Sequence, residues 1–148
     1  MRRYLVIAGV VACLAALVAV ASAAPRPDTK YRGNTSQGHN ASLRTDADGT
    51  AVRSFTIRRS FNCGAGSPTG TFRQSSGIMV VKPDGRFWGH DQVQPSTGGS
   101  IDRGQFTIHG RFGRRGGAVR GTYRERVRLE NGTRCDTGEI RYRLKAQD

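Results

Sequence analysis

Five arginines, Arg124, Arg126, Arg128, Arg141 and Arg143, alternate with other residues in the stretch from Ala118 to Leu144, AVRGTYRERVRLENGTRCDTGEIRYRL. A guanidinium is a planar fork of donors that fits phosphate or carboxylate oxygens two at a time, so arginines gathered on one face attract polyanions. Arg111, Arg114, Arg115 and Arg120 lie nearby in sequence and extend the same charge. Glu139 is expected opposite Arg124 in a regular hairpin, which neutralises part of it. No aromatic side chain interleaves the arginines on that face. This argues against specific nucleic-acid recognition, because single-strand binders stack bases on rings. A solvated face that serves only solubility is the competing reading.

The opposite face of the same stretch carries an unusual carboxylate. Glu125 has the parity of the apolar Tyr123 and Val127, and Arg59 has the parity of Phe55, Ile57 and Phe61 in its own run. An isolated buried charge is costly, so Glu125 is expected to be paired, protonated or facing a wet cavity. Arg59 is its natural partner, unless a bulge turns both groups out to solvent. With Trp88 and Tyr123 the pair would line a pocket for a small polar ligand, as the interiors of small barrels do. A third reading is a hydrolase using Glu125 and Asp136 as a carboxylate pair.

Enzyme signatures are otherwise missing. There is no H-E-x-x-H and no G-x-S-x-G, and Gly64-Ala65-Gly66 with Gly70 misses the dinucleotide-loop spacing and precedes a strand instead of a helix. His39, His90 and His109 have no ligand-spaced partners, and Asp46 and Asp48 before Gly49 read as a plain turn instead of a calcium loop. Sequons at Asn34, Asn40 and Asn131 read as chance occurrences, and Asn131 is also accounted for by its turn. The expectation is a non-enzymatic binding domain with no catalytic residues, metal or cofactor.

These residues must be carried by strands. Asn131-Gly132 accepts the positive φ angles of a type I′ turn and predicts a hairpin. In that register Cys135 lies opposite Arg128 and faces outward, unless the strand bulges near Thr137-Gly138. Other alternating or apolar runs occur near Tyr31, at Ala41 to Thr45, Val52 to Cys63, Thr71 to Gln74, Ile78 to Val81, Arg86 to Val93 and Gln105 to Phe112. Turn signals separate them, including Pro83-Asp84-Gly85 and Pro95 to Gly99. No sustained helical period follows the first segment. The fold class is therefore all-β, a single antiparallel β-sandwich or small β-barrel over residues 31–148, with 24–30 as a flexible linker.

Met1-Arg2-Arg3, the uncharged run from Tyr4 to Val20 and the small residues Ala21-Ser22-Ala23 match a secretory leader, a signal-peptide helix over residues 1–23. Its removal takes the 24 basic residues to 22 against 11 acidic ones, a net charge of +11. It also leaves two cysteines, Cys63 and Cys135, as a disulfide in an oxidising compartment. The protein is expected to be secreted or held at the cell surface, monomeric and without a membrane span, with an anionic envelope polymer as its partner.

Tyr31-Arg32-Gly33-Asn34-Thr35-Ser36-Gln37-Gly38, with Cys63 and Cys135-Asp136-Thr137-Gly138, resembles small secreted proteins of actinobacterial type that have no assigned function. The resemblance implies an exported, all-β, disulfide-linked domain, and it implies no activity.

Overall fold

The computed structural model describes residues 23–64, 66–75, 79–93 and 101–147. The leader through residue 22 and the turn at Pro95 to Gly99 lie outside the described residues. The strands are β1 (Lys30–Thr35), β2 (Asn40–Thr45), β3 (Ala51–Ser60), β4 (Thr69–Gln74), β5 (Met79–Val80), β6 (Arg86–Val93), β7 (Ile101–Phe112), β8 (Ala118–Leu129), β9 (Arg134–Asp136) and β10 (Ile140–Ala146). They form one antiparallel sheet in the order β4-β3-β2-β1-β10-β8-β7-β6, with β5 added to β3 and β9 to β8. The sheet curls like a barrel or sandwich without closing edge to edge, in agreement with the expected all-β class.

Alternation along the strands causes the curl. Phe106, Ile108 and Phe112 on β7, Val119, Tyr123 and Val127 on β8, and Ile140, Tyr142 and Leu144 on β10 are buried on one face. Burial stabilises each such side chain by about 1.5–3 kcal/mol, and a flat sheet has no second layer to cover that face. Rings from distant strands therefore meet inside: Phe72 of β4 lies 4.6 Å from Phe106 of β7, and Phe55 of β3 lies 5.3 Å from Tyr142 of β10. Gly110 and Gly121, opposite each other on β7 and β8, leave the space these rings fill. A Cβ at Gly121 would come within 2.5 Å of the Tyr142 hydroxyl.

The β8–β9 hairpin differs from its expected form. Leu129 and Thr133 pair across Glu130-Asn131-Gly132, and only Gly132 of the three has a positive φ, 84°. The turn is thus a three-residue loop with glycine in the left-handed position, not a type I′ turn. The extra residue shifts the register by one, so Cys135 sits opposite Val127 and is buried. Between Asp136↔Arg126 and Ile140↔Tyr123 the register shifts back across Thr137-Gly138-Glu139, with Gly138 at φ 64°. A bulge therefore brings the cysteine inward and then restores the parity of β10. Cys135 is bonded to Cys63, with the two Cα atoms 4.3 Å apart.

The stretch expected as a flexible linker is laid against the sheet's end. Pro25 is buried, the Asp28 amide donates to the Asp46 carbonyl at 2.6 Å, and the Arg26 amide donates to the Tyr31 hydroxyl at 3.1 Å.

Candidate functional site: a buried ion pair and an arginine-rich outer face

Inside the curl, Arg59 of β3 reaches Glu125 of β8, although β2, β1 and β10 lie between those strands in the sheet. Arg59 Nε donates to Glu125 Oε2 at 2.6 Å and Nη2 donates to Oε1 at 2.8 Å, a bidentate pair with 6% and 0% of the two side chains exposed. The Tyr123 hydroxyl donates to the same Oε2. Burial and the adjacent carboxylate push the Tyr123 phenol far above its ordinary value. The Arg59 guanidinium lies 4.8 Å from the centroid of Phe61 and beside Gly70, whose missing side chain makes room for it. Of the residues expected to line an interior pocket, the structure brings together Arg59, Tyr123 and Glu125. Trp88 is elsewhere.

Two residues that the sequence reading passed over support this pair. The Thr137 hydroxyl accepts from the Glu125 amide at 2.9 Å. Gln37, at the tip of the β1–β2 hairpin, donates to the Ser60 and Thr137 carbonyls and accepts from the Ser60 amide. Just beyond it, Asn62 bridges to Asp136 next to the disulfide. The charged pair is therefore clamped from one end by backbone bonds and a covalent tie.

The outer face is basic, but unevenly so. Asp136 Oδ2 accepts from Arg124 Nη2 at 2.7 Å and from Arg126 Nε at 3.0 Å, while Oδ1 accepts from the Gly138 amide at 2.7 Å. These bonds, that to Arg124 foremost, hold the Asp136 carboxyl down to about 2. Asp136, not Glu139, is thus the ion-pair partner of Arg124, because the three-residue turn moves β9 by one position. Glu125 and Asp136 make their ion pairs on opposite faces of the sheet.

The remaining arginines form cross-strand rows. Arg143 of β10 lies opposite Arg120 of β8, Arg120 opposite Arg111 of β7, and Arg111 opposite Arg86 of β6. Nearer the hairpin tip, Arg128 lies opposite both Arg103 and Arg134. Like charges directly opposite each other destabilise a sheet. Arg86 is relieved by Asp84 at 2.5 Å, whereas among the described residues Arg111, Arg120 and Arg143 have no ion-pair partner. A surface hollow of about 480 Å³ is lined by Arg111, Arg114, Arg120 and Arg143, with Ala23 at its edge and no carboxylate among the described residues. A second, of about 590 Å³, is lined by Arg103, Arg126, Arg128 and Arg134, with Asp136 as its carboxylate among the described residues. Arg141, expected on the same face, is exposed on β10 opposite Thr122.

Trp88 also belongs to this outer face. It is 47% exposed, lies opposite His109, and stands two positions along β6 from Arg86. On the hairpin itself Tyr123 and Tyr142 face inward, so no aromatic interleaves its outer arginines there, and the outward ring is contributed from β6, two strands away. Phe87, its neighbour in sequence, turned inward instead.

Fold and site together define an all-β, disulfide-linked domain with a sealed internal ion pair and a basic outer face. In comparisons with known proteins the chain matches no family model, no curated protein and no solved structure. The disulfide is consistent with an extracytoplasmic location, and among the described residues no helix is long and apolar enough to cross a membrane.

Proposed function

We propose that this chain is an exported, non-enzymatic domain that associates with anionic polymers of the cell envelope or its surroundings through the outer face of β6, β7, β8 and β10. The observation that carries this reading is the cross-strand row Arg143–Arg120–Arg111–Arg86, in which Asp84 pairs with Arg86 and lies beside Arg111, while Arg120 and Arg143 have no ion-pair partner among the described residues. Guanidiniums set at strand spacing of about 4.8 Å repel one another, and a chain of phosphates or carboxylates relieves that repulsion. A net charge of +11 once the leader is removed adds long-range attraction.

The alternative, a small ligand held at Arg59, Tyr123 and Glu125, is less well supported. There the donors and acceptors are already committed to one another. Retention on a heparin or phosphate column tests the proposal. A variant with Arg111, Arg120, Arg128, Arg141 and Arg143 changed to Gln is expected to elute at clearly lower salt than the wild type. Equal retention of a folded variant would end this reading.

A further inference from the structure

The two arginine hollows are joined by a third feature. Between them, a hollow of about 560 Å³ is lined by Trp88, His90, Thr107 and His109, with Asp91 of β6 as a carboxylate at its rim, and it shares Gln92 and Gln105 with the hollow around Arg103 and Arg128. Its other end adjoins Arg111, two residues along β7 from His109. Charge, ring and charge thus follow one another along β7 from Arg111 to Arg103. That is eight residues, or about 27 Å at 3.4 Å each.

A polymer of bare phosphates or sulfates has no use for a ring on this track, which stands opposite His109, nearer its Arg111 end. Single-stranded nucleic acid does, since its phosphates fit arginines and its bases stack on aromatic faces, with sites of about four nucleotides upward. The Trp88 indole is held from one side by Lys82 Nζ, 4.3 Å from the ring centroid, while the ring stays about half exposed. We infer that this face binds single-stranded nucleic acid along β7, with phosphates in the two arginine hollows and a base on Trp88. The inference rests on the polyanion reading above and narrows it.

Trp88 is the only tryptophan in the chain, so its fluorescence reports the contact without labelling. The purified protein is titrated with an oligothymidylate, with a duplex of the same length and with inorganic polyphosphate of matched charge. The expected result is quenching of Trp88 by the oligothymidylate alone. Trp88→Ala, at an outward position and followed by titration calorimetry because the variant has no tryptophan, is expected to weaken oligothymidylate binding about tenfold, the effect of losing one stacked base, and to leave polyphosphate binding unchanged. Equal affinities for oligothymidylate and polyphosphate without quenching would overturn this inference and leave the polyanion reading standing. Tighter binding of the duplex would also overturn it, whereas no binding of any of the three would remove both readings.

Discussion

Glu125→Gln keeps the volume of the side chain and its ability to accept from Tyr123, but removes the charge that faces Arg59. The guanidinium, with 6% of its side chain exposed, then has no counter-charge. Removing one partner of a buried pair costs about 3–5 kcal/mol, out of about 5–15 kcal/mol for a typical domain. At about 3 °C per kcal/mol for a domain of this size, the midpoint of thermal unfolding should fall by about 10–15 °C. Urea unfolding followed by circular dichroism measures the same loss, with the denaturant dependence unchanged if the native state stays compact. The double variant Arg59→Met, Glu125→Leu removes both charges and is expected to recover most of the stability, because apolar replacements of buried pairs are close to neutral or better. The reasoning fails if Glu125→Gln lies within 1 kcal/mol of wild type at pH 7, a threshold well under the expected loss, or if the double variant costs the sum of the two singles.

Two further outcomes follow from the same interior. Tyr31, Tyr123 and Tyr142 are all raised above the ordinary phenol value, in each case chiefly by burial. A folded-state value raised above the unfolded one, about 10, gives stability that is present below pH 10 and lost as the pH rises. In the protein without residues 1–23, which include Tyr4, absorbance at 295 nm, a wavelength that reports tyrosinate, should therefore show ionisation only together with alkaline unfolding; smooth titration of the folded protein near pH 10 would contradict the packing. Cys63 and Cys135 close a loop with a sequence separation of 72, so changing both to Ser should cost about 4 kcal/mol in the chain-entropy model. Calorimetry checks this, and a loss below 1 kcal/mol would show that the tie contributes little.

The strands were legible because burial on one face imposes a two-residue period that the chain displays openly. The facing of Arg59 and Glu125 was legible for the same reason, as two charges in apolar positions on separate runs. The hairpin turn was not, because Asn-Gly suits both a two-residue type I′ loop and a longer loop with glycine in the left-handed position. That one-residue difference decides whether Cys135 faces inward and whether Asp136 or Glu139 meets Arg124. The arginine rows were illegible in principle from local pattern. Arg86, Arg111, Arg120 and Arg143 become neighbours only through the register of four strands. Phe87 and Trp88 are adjacent rings on one strand, and either was apolar enough to face inward. The pairing of β6 with β7 places Phe87 inside against Gly110 and leaves Trp88 outside against His109.

The salt dependence of binding to an oligothymidylate bears most directly on the claim that the outer face holds polyanions. Each phosphate neutralised on a single strand contributes about 0.7 to the slope of log affinity against log salt. Changing Arg111, Arg120 and Arg143 to Gln is predicted to weaken binding and to lower that slope by about two. An unchanged affinity and slope in the folded variant would contradict the account.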